Sequence, residues 1–298
     1  MIKFNNLLSY NKIKAIKLLI ISFALYFVAS KINLHKLLSL VSSLNISYLL
    51  LAILSLFISQ ILSGFRLYEY LKTEKLNLSI PTTMKLYFKA MLYNNILPGG
   101  IGGDGLQIYL LHKDYKLPKL SGLKILIATR ANGLLLLIFF ALIIFYSIAR
   151  APNLNIGLYI VLAFVVIALM YFAFAKFCLS DRTLLKASFF SFWVQLFSII
   201  SGYFLLIAIK GGLEFNDILI YLLIFLVSSI LSIIPVSIGG VGIRELTFLY
   251  GTKYASLSEE LGVTFALIYY VISLVISLFA ISFCSNSKQR LAITEKGD

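Results

Sequence analysis

Residues Pro98 to Gly105 read PGGIGGDG, and the pattern returns 137 residues later as PVSIGGVG at Pro235 to Gly242, each copy closing an apolar stretch. Without a gap, Pro98 pairs with Pro235, Ile101 with Ile238, Gly102 with Gly239, Gly103 with Gly240, Gly105 with Gly242 and Leu106 with Ile243. The chain holds only 5 prolines, so composition alone does not explain the match. Proline removes a backbone donor and stops the incoming helix, and glycine permits turns that a side chain forbids. Unwound backbone is tolerated at membrane depth only where protein or a cavity surrounds it. Paired breaks of this kind therefore point to a binding site between two repeats.

The composition sets the medium. Of 298 residues, 60% are hydrophobic and 13% charged, and the mean hydropathy is +0.97. Such a chain reads as an all-α polytopic membrane protein. A net charge of +14 raises nucleic acid as a partner, but the basic residues are scattered between apolar runs and form no basic stripe with interleaved aromatics. Cys178 and Cys284 lie in or beside apolar segments without metal or redox spacing, and His35 and His112 stand far apart in polar loops. No cofactor or metal is expected. HExxH, nucleophile-elbow and Walker motifs are missing, and GGIGGDG lacks the strand-turn-helix setting of a dinucleotide loop, so no enzyme activity is expected.

Full-length apolar runs cover Ala15 to Ser30, Ser47 to Gly64, Ile125 to Ile148, Ile156 to Phe177, Ala187 to Ile209 and Leu261 to Cys284. Each approaches the roughly 20 residues a transmembrane helix needs, giving six spans. The first, preceded by Lys3, Lys12, Lys14 and Lys17, imitates a cleavable signal peptide but is read as a retained span. Met84 to Leu97 and Ile218 to Ile234 run into the two prolines and are read as arms of re-entrant hairpins. With six spans, two hairpins and a cytoplasmic N-terminus, 19 of the 26 basic residues fall in cytoplasmic segments, among them the group from Arg66 to Lys89. Three spans separate the hairpins, so they enter from opposite faces and the two halves are inverted. The whole chain is expected to be one domain, with repeat cores at about 84–148 and 218–284 and a cytoplasmic polar tail at 287–298.

Each motif would leave a helix N-terminus, whose unpaired N–H groups favour a phosphate or carboxylate, pointing inward. Close helix packing through glycine is the competing use of Gly102, Gly103, Gly239 and Gly240. Ionisable groups at membrane depth are costly and tend to be functional. Arg130, six residues into its apolar run, would bind a headgroup or snorkel to the surface. Arg244 and Glu245 would form an internal ion pair or a substrate site. Asp104 would cap the helix starting at Gly105, or contact a headgroup or proton. Asn94 and Asn95 would satisfy backbone groups freed at the break, and Glu259 and Glu260 would lie in a solvated loop.

The segments NNILPGGIGGDGLQIYLL, TRANG at Thr129 to Gly133, and LSIIPVSIGGVGIREL together resemble the lysylphosphatidylglycerol synthase transmembrane family, over nearly the whole chain. This is the flippase-like membrane domain of multiple peptide resistance factor and of stand-alone proteins, some of them partners of lipid-linked glycosylation enzymes. The resemblance implies polar-lipid translocation in the cytoplasmic membrane and implicates Asp104, Arg130, Arg244 and Glu245. Gln107 stands where the family commonly has arginine. The bifunctional members carry a soluble aminoacyltransferase domain after the membrane part; the dozen mostly polar residues after Cys284 are too few for one, so another protein is expected to make any modified lipid. Three functions stay open: translocation of a lipid with an anionic or aminoacylated headgroup, a non-transporting membrane partner of a glycosyltransferase or lipid-modifying enzyme, and secondary transport of a small anionic solute. Homo-oligomerisation also stays open.

Overall fold

A computed structural model describes residues 34–74, 76, 78–97, 102–149, 164–165, 181–233 and 242–285. Every regular element among them is helical: α1 (Leu34–Ser42), α2 (Ile46–Thr73), α3 (Ile80–Ile96), α4 (Gly102–Tyr115), α5 (Lys119–Ala149), α6 (Asp181–Ile209), α7 (Phe215–Leu231), α8 (Ile243–Tyr254) and α9 (Glu259–Ser285). Helices α2, α5, α6 and α9 are long and apolar enough to cross a bilayer, and they answer to four of the six expected spans. Ala15 to Ser30, nearly all of Ile156 to Phe177, the motif cores with Pro98, Pro235, Gly239 and Gly240, and the tail at 287–298 lie outside the described residues.

The sequence starts each helix by local chemistry. Asn45 Oδ1 accepts the N–H groups of Ser47 and Tyr48 at the head of α2. Ser79 caps α3, with Pro81 in the first turn where no amide is needed. Ser258 Oγ accepts the Leu261 N–H at the head of α9, and Glu259 and Glu260 sit in that first turn, where the dipole favours acids. Glu260 also accepts from Lys36 Nζ at 3.0 Å and tethers α1, so the expected solvated loop is instead a helix start with a docked partner.

The element order repeats. Helices starting at 46, 80, 102 and 119 recur as helices starting at 181, 215, 243 and 259, and α3 and α7 are both 17 residues long. The two copies run in opposite senses because α2 and α6 pair antiparallel. Asn45 N–H donates to Ala208 O, Ser201 Oγ to Ala52 O, Ser59 Oγ to Val194 O and Arg66 to Ser191 Oγ, so partners rise along α2 as they fall along α6. Small hydroxyl residues let two backbones approach, and each such bond in an apolar medium contributes about 0.6 kcal/mol.

Apolar packing then fixes the ends. One cluster joins the end of α2 (Leu67, Tyr70, Leu71), the start of α3 (Leu86), the end of α4 (Leu111) and the start of α5 (Ile125, Ala128). The α3/α4 pair therefore leaves and returns at one end of the bundle. A second cluster gathers Leu205, Leu206 and Ile209 of α6, Tyr221 and Phe225 of α7, Phe248 of α8 and Leu261 and Phe265 of α9. Tyr221 OH donates to Ser258 O at 3.0 Å, which closes the α7/α8 pair at the other end. The copies also interlock: α5 packs on α7, and α9 packs on α3. Outward-facing Leu50, Leu54, Ile143, Val271 and Val275 stay exposed on the long helices, as a lipid-facing surface requires.

Candidate functional site

The tip of the α3/α4 pair shows how glycine and asparagine cooperate. Gly103 lies so close to α3 that an added Cβ would fall 1.8 Å from the Ala90 carbonyl oxygen. Only glycine lets the two helices meet there. At that contact Asn94 Oδ1, on α3, accepts the N–H groups of Gly103 at 2.8 Å and Asp104 at 3.3 Å. Helix α4 starts at Gly102, so Gly102, Gly103 and Gly105 are helical, where the sequence reading put them in an unwound stretch. Asp104 is correspondingly not the cap, since Asn94 does that work from the neighbouring helix. The Asp104 carboxylate is free to turn sideways. It accepts from Asn94 Nδ2 at 2.9 Å and pairs with Arg130, whose Nε donates at 2.7 Å and whose Nη2 also contacts the carboxylate.

Arg130 therefore does not simply snorkel to a surface: it joins α5 to the tip of the first hairpin. Its neighbours in TRANG are equally committed. Thr129 Oγ1 bonds back to Ile125 O, Asn132 donates to Tyr70 OH and Ser188 Oγ, and Gly133 O accepts from Gln195 Nε2. Beside the Asp104–Arg130 pair lies a cavity of about 220 Å³ whose polar lining includes Arg66, Tyr87, Asp104, Gln107, Arg130 and Gln195. A second space of about 420 Å³ shares Asp104, Leu126, Arg130, Leu134 and Ile233 with it and is otherwise lined by apolar Ile108, Ile127 and Ala131 and by Gly105. A cavity with several polar side chains in a mostly apolar lining thus lies beside an apolar groove, with the ion pair lining both.

Arg66 is the residue that the sequence reading misplaced. Counted with a cytoplasmic segment, it is 9% exposed and lies inside α2, which continues well past Gly64 to Thr73. A signal for this was present: Ser55, Ser59, Ser63 and Arg66 follow helical spacing, and all four are buried on the inner face of α2.

The second hairpin solves the same problem differently. Gly242 has φ +90° and its N–H donates to Glu245 Oε2 at 2.5 Å, so α8 is capped by its own first turn. The reciprocal arm of a capping box does not exist, because glycine has no side chain. Glu245 is 1% exposed, and no salt bridge links it to Arg244 among the described residues. The ion-pair alternative is replaced by a self-cap and a cation–π contact, with the Arg244 guanidinium 5.2 Å from the centre of the Tyr269 ring. Neither residue lines the cavity or groove described above. Asn95 holds α9, donating to Ser273 Oγ while its backbone carbonyl accepts from Tyr270 OH. His112 lies at the exposed end of α4, its Nδ1 2.9 Å from Leu117 O. Among the described residues no cluster of three His, Cys, Asp or Glu side chains could hold a metal.

A family model for the lysylphosphatidylglycerol synthase TM region matches residues 14–180. The match takes in the first glycine motif, Asp104 and TRANG and stops short of α6, so the second half joins by internal repeat rather than by the match itself. No curated protein matches the chain closely enough to lend it a narrower identity. Long apolar helices and a match over more than half the sequence agree: this multi-pass membrane protein belongs to the lysylphosphatidylglycerol synthase transmembrane-region family.

Proposed function

We propose that the chain is a polar-lipid translocase of the cytoplasmic membrane, with both termini in the cytoplasm and the α3/α4 and α7/α8 pairs entering the bilayer from opposite faces as re-entrant hairpins. The observation that carries this reading is the cluster of polar and charged side chains in a cavity lying against an apolar groove, with Asp104 and Arg130 common to both. A lipid needs such a pair of surroundings. Its phosphate and headgroup require hydrogen-bond donors and charge, and its tails require an apolar path that never crosses water. The reciprocal packing of α5 on α7 and α9 on α3 supports the transport step, because tilting one repeat against the other shifts both hairpins together. Hairpins that leave and return at opposite ends of the bundle support alternating exposure of the site. No bond-breaking chemistry is assigned to the chain.

Purified protein in liposomes with fluorescent anionic and aminoacylated lipids tests the reading. Leaflet exposure is expected to equilibrate faster than in empty liposomes, and Asp104→Ala and Arg130→Ala, which change the two charges common to cavity and groove, are expected to slow it. Transport unchanged by both removes the assigned site. An absence of transport together with a co-purifying lipid-modifying enzyme or glycosyltransferase would replace translocation by a partner role.

A further inference from the structure

We infer that Glu245 is a proton-binding site: it carries a proton in this structure, and exchange of that proton couples the movement of the ligand to a pH gradient. The coupling rests on the translocase reading; the proton site stands without it. Glu245 is 1% exposed, so a charge on it would have no water around it. Its Oε2 accepts the Gly242 N–H, while its Oε1 is buried without a hydrogen-bond partner. An ionised carboxylate there would need a donor or a cation at the second oxygen, and a neutral carboxylic acid sheds most of that cost. The start of α8 favours an anion, but a dipole end contributes less than the desolvation of an unpaired buried ion costs.

The cation beside it in sequence is turned away. Arg244 lays its guanidinium over the Tyr269 ring, forms no ion pair with Glu245 among the described residues, and keeps its own Nε buried without a partner. An unmet donor and an unmet acceptor on adjacent residues mark a carboxyl group without the charge that would draw them together. The helices packed on α8 are α7 and α9. Residues 222–231 of α7, the part that runs to the break, contain no ionisable side chain, and α9 contributes Tyr269, under Arg244, and Tyr270, within electrostatic reach of Glu245. Glu245 lines neither the cavity nor the groove, so a proton there leaves the Asp104–Arg130 pair to the ligand. The packing also joins the two places. Tyr270 OH donates to Asn95 O at 3.0 Å, and the preceding Asn94 holds the amides of Gly103 and Asp104. When the Oε1–H bond breaks, the proton passes to water and the electron pair stays on the carboxylate. That carboxylate is drawn from the Gly242 amide towards Arg244, so α8 shifts against α9, which grips the tip of the first hairpin.

Infrared spectroscopy of the full chain in an ester-free detergent at neutral pH tests the proton. The wild type is expected to show the carbonyl stretch of a protonated carboxylic acid, shifted in D2O and by 13C-glutamate. The band is expected to be missing in Glu245→Gln, which keeps an oxygen for the Gly242 amide but has no proton to exchange. A wild type without the band overturns the inference, and so does a band that persists in Glu245→Gln. If the variant does not fold, the label decides, and a wild-type band unmoved by 13C-glutamate overturns the inference. Coupling is read in liposomes holding fluorescent phosphatidylglycerol, with the membrane potential clamped and a pH gradient of about one unit imposed. One coupled proton biases the leaflet ratio by up to about tenfold per pH unit. The wild type is expected to approach that bias in one direction, and Glu245→Gln to stay near an even ratio. A wild-type ratio that ignores the gradient overturns the coupling, as does an equal bias in Glu245→Gln. The band in a wild type that moves no lipid keeps the proton site and removes the translocase reading.

Discussion

The two hairpins begin from one sequence pattern and end in different chemistry, and the difference lies in where each helix finds its cap. At the first, the cap is borrowed from α3 through Asn94, and Asp104 is released to meet Arg130 beside the cavity. At the second, Glu245 bends back to Gly242 within α8, and Arg244 rests on Tyr269 in an aromatic setting. A helix terminus has a fixed number of unsatisfied amides, so whichever side-chain atom serves them is lost to other work. The first half therefore supplies most of the cavity's lining, while in the second half α7 packs against α5 and Gln195 and Ile233 help wall that cavity.

Five substitutions probe this division through thermal unfolding in detergent. Gly103→Ala should have the largest effect, about 3 kcal/mol or failure to fold, because the new methyl would strike the Ala90 backbone. A stable Gly103→Ala protein would mean that the two arms are not locked. Asp104→Asn comes next at roughly 2 kcal/mol, below the full cost of breaking a buried pair because the Arg130 side chain is 32% exposed. Arg244→Gln should cost less, about 1 kcal/mol for its ring contact, and the reverse order would place the weightier charge in the second hairpin. Asn94→Ala should cost about 1 kcal/mol by uncapping α4. Gly105→Ala should stabilise slightly, by about 0.5 kcal/mol, since an added Cβ meets nothing within 4 Å and helical alanine is favoured over glycine.

Much of the architecture was legible because it follows from one-dimensional constraints. Apolar length predicts α2, α5, α6 and α9, and the Pro/Gly breaks predict two short helix pairs between them. Three spans counted between the two breaks predict inverted halves, and α2 and α6 pair antiparallel. The errors came where a residue's surroundings depend on another helix. Arg66 was counted with a cytoplasmic segment because the apolar run ends at Gly64, yet the inner face of α2 continues against α6, where Arg66 donates to Ser191 Oγ. Asp104 was read as a cap from its place in the motif, although the competing Asn94 lies on α3 and reaches the amides only once Gly103 lets the helices touch.

The sequence by itself determined the medium, the helix breaks and the duplication of the pattern, since burial of apolar length and the backbone limits of proline and glycine act locally along the chain. Only the tertiary structure decided that Asp104 pairs with Arg130, that Glu245 caps its own helix, and that Arg244 rests on Tyr269. Those outcomes depend on distances between side chains that the fold sets, and in an apolar medium a few ångströms decide which partner a charge takes.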